Sequence, residues 1–280
     1  MTYRAQPVDI MFMTDLDGTL LGHDDFDFAA IRDDLKALIG RGIKIMPNSS
    51  KTRREIDSFC AALGMRLPYV YENGAGIGNA DLIGPTAKGK CWRTHGMSLA
   101  DLRSVWAQSI RPELSSKCHF LADMPQREQT RHLGLQGNSL AQALQREHSA
   151  PFVFSGSGDE FSTLSRLAAR AGLAVKKGGR VCNLSGGHDK SGYTFAVRAA
   201  HRQTGTKLCI VGFGDGDNDI GMLQQSDVAC LIPRPGADAL RLPHPPPRVV
   251  TASQPAPKGW LEAARKALHM IGKEEGSYHG

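Results

Sequence analysis

The sequence predicts an α/β fold, a Rossmann-like parallel-sheet core with a smaller α/β domain inserted into it, from three observations. Apolar runs at residues 10–13 and 208–211, and a strand pattern at 43–46 that includes Lys44, each end in a polar or glycine-bearing turn, and helical periodicity follows the later two in chain order. Residues 1–84 and about 187–280 hold these runs together with the acid, serine and lysine clusters, whereas 85–186 alternate helical and short strand patterns without such clusters. With 280 residues and 41% hydrophobic content, the chain can bury one large core or two smaller ones.

In chain order, Ile10-Met11-Phe12-Met13 reads as a buried strand that runs into Thr14-Asp15-Leu16-Asp17-Gly18-Thr19-Leu20. Strand side chains alternate faces, so Asp15 and Asp17 are expected on one side and Leu16 on the other. Two carboxylates a few ångströms apart repel unless a cation lies between them, which favours a hard ion such as Mg2+. Gly18 permits a sharp turn, and Thr19 supplies a hydroxyl able to hold a carboxylate. An acidic hairpin turn would have the same composition, so the remaining segments decide.

Asn48-Ser49-Ser50-Lys51-Thr52 follows the strand pattern at 43–46 and precedes a helix with Ile56, Phe59, Cys60 and Leu63 on one face. N–H groups at such a helix start, with the positive end of its dipole, attract an anion, and a phosphoryl group fits there. A serine that merely caps the helix is the ordinary alternative and is compatible with the first.

The inserted stretch opens near Trp92. A helix through Leu99, Leu102, Trp106 and Ile110 follows, then a strand at Cys118-His119-Phe120-Leu121. Further elements are a helix over 140–147, a strand at Phe152-Val153-Phe154, a helix with Phe161, Leu164, Leu167, Ala168 and Ala171, and strands near 173–176 and 180–184.

His188-Asp189-Lys190-Ser191-Gly192 opens a helix carrying Phe195, Ala196 and Ala199. A lone lysine at a helix start is ordinarily solvated, so Lys190 gains meaning only from its place in the order of motifs. Leu208-Cys209-Ile210-Val211 then leads into Gly212-Phe213-Gly214-Asp215-Gly216-Asp217-Asn218-Asp219. Glycines after a strand also occur in dinucleotide sites, but a pyrophosphate would not be met by three acids. The acids argue for a metal instead, with Asp215 and Asp219 as ligands and Asn218 holding the loop or the metal's waters. The proline-rich stretch 233–257 is expected as an extended surface segment, and a last helix with Leu261, Ala264, Leu268 and Ile271 as packing on the core.

Acid pair, serine after the next strand, lysine at a helix start and a GDxxND loop: this order resembles the haloacid dehalogenase superfamily of phosphohydrolases. The resemblance implies Asp15 as nucleophile, Asp17 as general acid/base, and Ser49 and Lys190 as phosphate binders. It further implies Mg2+ held by Asp15, Asp17, Asp215 and Asp219, and a second-type cap inserted at 85–186 that sets substrate specificity. The superfamily's ATPases and dehalogenases lack the second acid, so Asp17 speaks for a phosphatase or phosphomutase.

Asn48-Ser49-Ser50-Lys51-Thr52-Arg53-Arg54-Glu55, Tyr71-Glu72-Asn73-Gly74-Ala75, Gly178-Gly179-Arg180 and Gly186-Gly187-His188-Asp189-Lys190 look like the mannosyl-3-phosphoglycerate phosphatase family, with weaker matches at 146–152 and Lys258-Gly259-Trp260. The chain departs from that pattern at Ala150, Ser191 and Cys182-Asn183. The implied substrate contacts are Ser50, Lys51, Asn73, Arg146, Gly179, Arg180, His188 and Asn218. Arg146 and Arg180 suit a glycerate carboxylate, since a guanidinium binds carboxylate bidentately; pairing with a surface acid is the ordinary alternative for each.

The expected function is Mg2+-dependent hydrolysis of a mannosyl- or glucosyl-3-phosphoglycerate. Another sugar phosphate, a phosphomutase reaction or a non-catalytic sugar-phosphate sensor are the alternatives. The net charge of +6 suits a small anionic phosphorylated substrate, and no basic run or zinc spacing points to nucleic acid. No stretch reaches membrane-spanning length, residues 1–6 lack an apolar signal core, and Cys60, Cys91, Cys118, Cys182, Cys209 and Cys230 contain no CxxC. These features lead us to expect a cytoplasmic protein with buried thiols.

Overall fold

The computed structural model describes residues 8–83, 92, 94–178, 180–202 and 206–277. Its elements run β1 (Val8–Thr14), α1 (Arg32–Gly40), β2 (Lys44–Pro47), α2 (Arg53–Leu63), β3 (Tyr69–Tyr71) and β4 (Gly76–Gly78). Next come α3 (Leu99–Ser109), α4 (Pro112–Ser115), β5 (Cys118–Phe120), α5 (Gln126–Leu133), α6 (Gly137–Leu144), β6 (Ser149–Phe154), α7 (Gly158–Arg170), β7 (Leu173–Lys177) and β8 (Cys182–Gly186). The chain finishes with α8 (Gly192–His201), β9 (Lys207–Gly214), α9 (Ile220–Gln224), β10 (Val228–Leu231), β11 (Val249–Thr251) and α10 (Lys258–Ser277).

Two compact units result: Met1–Ser49 with Cys60–Arg93 and Asp189–Gly280, and Ser50–Phe59 with Thr94–His188. The first unit is built on a parallel five-stranded sheet of order β11-β10-β9-β1-β2. Met11, Phe12 and Met13 are all fully buried, as consecutive residues must be when helices cover both sheet faces. Met11 and Met13 join Met46, Val70, Tyr193, Val197, Ile210 and Met222 in one layer. Phe12 packs edge-on to Trp260 (5.9 Å between ring centroids), and Phe213 stacks on the same indole at 5.0 Å. Trp260 Nε1 donates to Thr14 Oγ1 (3.0 Å), which ties α10 to the end of β1.

The strand order changes direction at β1: β2 lies on one side of it and β9 on the other. The carboxyl ends of neighbouring strands diverge at such a switch point and leave a crevice for a site. Residues 233–257, expected as an extended surface segment, also contribute β11, the edge strand paired in parallel with β10. The prolines conceal it, because only three residues, Val249–Thr251, pair.

The second unit is an antiparallel sheet of order β5-β6-β8-β7 with α3 and α7 against it. Leu102, Trp106, Leu164 and Ala168 from the helices meet Phe152, Leu173 and Leu184 from the strands. Segment 50–59, outside the expected insertion, groups with this unit through its hydrogen bonds. Thr52 Oγ1 donates to Gln142 O (2.9 Å), Gln142 Nε2 to Ser58 Oγ (2.8 Å) and Arg53 Nε to Glu147 Oε1 (3.1 Å). Helix α5 was not expected: QREQTRHL has no apolar stripe, and it ends on Gly134 at φ 69°. Helix α6 lies over Gly137–Leu144 rather than 140–147, and ends before Arg146.

Among the described residues, no helix is long and apolar enough to cross a membrane. Cys60, Cys118, Cys182, Cys209 and Cys230 are buried thiols, while Cys91 lies outside the described residues.

Candidate active site

Asp15 follows β1, Asp215 follows β9, and Asp219 closes the turn after Asp215, so neighbouring parallel strands deliver all three to the crevice. All three are buried, with one carboxylate oxygen from each within 4.8 Å of the others. Lys190, 1% exposed, bridges two of them: Nζ lies 2.5 Å from Asp15 Oδ1 and 2.6 Å from Asp219 Oδ1. The remaining Asp219 oxygen accepts the backbone N–H groups of Asp215 and Gly216, each at 3.0 Å. Thr19 Oγ1 donates to Asp215 Oδ1 (2.6 Å), so this hydroxyl does hold a carboxylate as the sequence suggested. Gly18 turns at φ 79°, and a Cβ there would lie 2.7 Å from Asp215 Oδ2. The glycine therefore serves both the turn and the approach of Asp215.

Local sequence explains how Lys190 is aimed. Asp189 Oδ1 accepts Ser191 N (2.8 Å) and Ser191 Oγ (2.5 Å), an Asx-type turn that starts α8. Asn48 Nδ2 donates to Lys190 O at 2.7 Å and fixes the lysine's backbone against the end of β2. Gly74, at φ 96°, lets the Asp189 carbonyl pass where a Cβ would stand 1.9 Å away.

Burial pushes Asp15 up to about 6, a rise that Lys190 opposes and Asp215 and Asp17 reinforce. Burial raises Asp219 too, again against Lys190. For Lys190, burial works to lower the value, but Asp15 and Asp219 outweigh it and hold the ammonium charged. Three carboxylates crowded in this way, with only oxygen donors, fit a hard divalent cation such as Mg2+.

Asp17 lies outside this cluster. β1 ends at Thr14, so alternation of strand side chains does not extend to residue 17. Instead Asp17 is half-buried in a turn where Gly18 N donates to Leu21 O (3.0 Å).

Ser49 is fully buried; its N–H donates to Val70 O (3.0 Å) and its carbonyl accepts from Asn73 N (2.9 Å). Neither serine caps α2. Thr52 does, in a reciprocal box: Glu55 N to Thr52 Oγ1 (3.2 Å) and Thr52 N to Glu55 Oε2 (2.8 Å). The T-x-x-E spacing is the signal that would have located it. Asn73, at φ 57° in the β3–β4 hairpin, accepts Asn218 Nδ2 at 3.3 Å, so this pair locks two loops together.

In the second unit, Lys51 pairs with Glu55 (3.4 Å), and Ser50 O accepts from Arg146 Nη1 (3.1 Å). Arg146 also donates to Ala143 O and Ser149 Oγ, each at 3.1 Å. Arg180 is exposed and donates through Nη1 to Leu133 O. His188 is half-buried at the end of this unit, and Gly179 lies outside the described residues.

Sequence reasoning missed Arg234. Its Nε bonds to Asp215 Oδ2 from the loop after β10, and the contact raises the arginine's pKa further despite partial burial. An isolated arginine between two prolines carries no signal by itself.

Residues 12–105 match the profile of haloacid dehalogenase-like hydrolases. The chain is 29% identical over 272 residues to a glucosyl-3-phosphoglycerate/mannosyl-3-phosphoglycerate phosphatase of Persephonella marina, covering 94% of this chain and 98% of that one. A Methanococcoides burtonii protein of the same name is 27% identical over 284 residues, covering 94% and 97%. In fold, the chain resembles a phosphatase of the haloalkanoate (HAD) enzyme superfamily from Bacteroides thetaiotaomicron, with a TM-score of 0.59 at 17% identity, covering 95% of this chain and 97% of that one. Over residues 12–105 the chain is thus similar to the haloacid dehalogenase-like hydrolases, and relatives that match 94% of it are named phosphatases.

Proposed function

We propose that this enzyme is a Mg2+-dependent phosphomonoesterase that works through an aspartyl-phosphate on Asp15 and acts on glucosyl- or mannosyl-3-phosphoglycerate. The observation that carries the chemistry is the buried Asp15–Lys190–Asp219 bridge beside Asp215. The naming of relatives that span 94% of the chain supports the substrate.

A carboxylate oxygen of Asp15 attacks phosphorus in line, forming the acyl phosphate as the bond from phosphorus to the glycerate oxygen breaks. Asp17, as a carboxylic acid, gives its proton to the departing alkoxide, which leaves as a hydroxyl. The resulting Asp17 carboxylate then takes a proton from water, whose oxygen attacks the same phosphorus and releases inorganic phosphate with Asp15 restored. Lys190 offsets negative charge on the entering phosphate and keeps Asp15 aimed. Mg2+ bound by Asp15 and Asp215 would supply the charge that offsets repulsion between carboxylate and phosphate.

The test is phosphate release from a panel of sugar phosphates and glycosyl-3-phosphoglycerates. Highest kcat/KM on a glycosyl-3-phosphoglycerate is expected. A better simple sugar phosphate would overturn the substrate, and isomerisation without phosphate release would make the enzyme a mutase.

A further inference from the structure

The carboxylate oxygens of the three-acid cluster can be accounted for one by one. Asp219 commits one to Lys190 and the other to two backbone N–H groups, while Asp15 Oδ1 is held by Lys190. Among the described residues, Asp15 Oδ2 meets only a long contact of 3.5 Å from Thr19. Asp215 Oδ1 accepts the Thr19 hydroxyl, and Asp215 Oδ2 is covered by Arg234. A cation bound by Asp15 and Asp215 needs an oxygen from each. A neutral hydroxyl can share an oxygen with a metal ion, but a guanidinium at the same atom repels it.

Charge leads to the same residue. Three carboxylates against Lys190 and Arg234 leave one net negative charge, whereas a divalent cation added beside both would reverse the sign. Of the two positive groups, Lys190 is 1% exposed and doubly bonded; the Arg234 side chain is 36% exposed and bonded to one acid. Arg234 is the one able to move. Its guanidinium also lies over Gly216, where a Cβ would stand 2.2 Å from Nη2.

We propose that Arg234 is the built-in counter-ion of the metal-free cluster, and that a divalent cation displaces its guanidinium from Asp215 on binding. Arg234 thereby sets metal affinity. The inference rests on the Mg2+ reading of the three acids given above.

Two variants separate geometry from charge. Arg234→Met removes the competitor; Gly216→Ala keeps it but pushes it off Asp215, and its extended backbone (φ −133°, ψ 170°) suits alanine. Calorimetric titration of the full chain with Mg2+ should show binding at least about tenfold tighter in Arg234→Met. Gly216→Ala should tighten it by a smaller factor. Nitrogen-15 NMR of the Arg234 side chain should show its Nε–H signal shift and lose exchange protection as Mg2+ is added to the wild-type protein. Bound Mg2+ with an unmoved Arg234 signal, or unchanged or weaker affinity in both folded variants, overturns the displacement and leaves the metal reading intact. No Mg2+ binding by any of the three proteins overturns both.

Discussion

Lys190 Nζ lies 2.5 Å from Asp15 Oδ1, although 175 residues separate the two in sequence. The contact places a fully buried cation against the proposed nucleophile. Asp15 is thus oriented by a partner that is itself held by Asp219 and Asn48. A buried charge left without its partner is costly, so each member of this bridge is both structural and chemical.

Asp15→Asn should abolish turnover in a folded protein. An amide cannot form the acyl phosphate, and the loss should exceed roughly a thousandfold, the scale for a missing nucleophile. Steady-state phosphate release checks this, and a tenth of the wild-type rate would exclude Asp15 from that role.

Asp17→Asn should block both half-reactions, leaving no phosphoenzyme build-up and no turnover. Asp215→Asn should instead raise the Mg2+ concentration needed for half-maximal rate. Chelator should silence the native enzyme and Mg2+ restore it. Full activity in EDTA would require another mechanism.

The metal-free protein should lose stability as pH rises from about 4 to 6. Burial moves Asp15 from 3.8 to about 6, so within that window the folded chain holds a proton that the unfolded chain has released. Stability from this carboxyl is therefore greatest below the unfolded value and lower above 6. Relative to Asp15→Asn, the wild type should lose on the order of 2–3 kcal/mol between pH 4 and 7. Urea unfolding in chelator measures it, and parallel pH curves for the two proteins would refute the shift.

Arg180→Ala tests the glycerate reading. If this guanidinium holds the substrate carboxylate, kcat/KM on a glycosyl-3-phosphoglycerate should fall by about 2 kcal/mol or more. Turnover of p-nitrophenyl phosphate, which has no carboxylate, should barely change. Equal losses on both would remove Arg180 from substrate recognition.

Much of the fold was legible because its signals are local. Residues 10–13 and 208–211 are apolar without alternation, as strands covered on both faces are, and β1 and β9 are adjacent in the parallel sheet. The loops that follow carry their chemistry within a few residues, which is why Asp15, Asp215 and Asp219 could be named together. The capping box at Thr52 and Glu55 was present in the sequence and passed over in favour of the serines. Helix α5 and the edge strand β11 were not legible, since a polar octamer and a three-residue strand carry too little periodicity.

Sequence alone determined the motifs and their order along the chain, the acids, and the family they resemble, because periodicity and turn chemistry act over a handful of neighbours. Tertiary structure alone decided which groups meet. It put Lys190 between Asp15 and Asp219, left Asp17 outside the cluster, joined Asn73 to Asn218 and brought Arg234 onto Asp215. Side-chain direction beyond the end of a strand is set by loop closure and by long-range partners rather than by period. Those partners exist only once distant segments have packed.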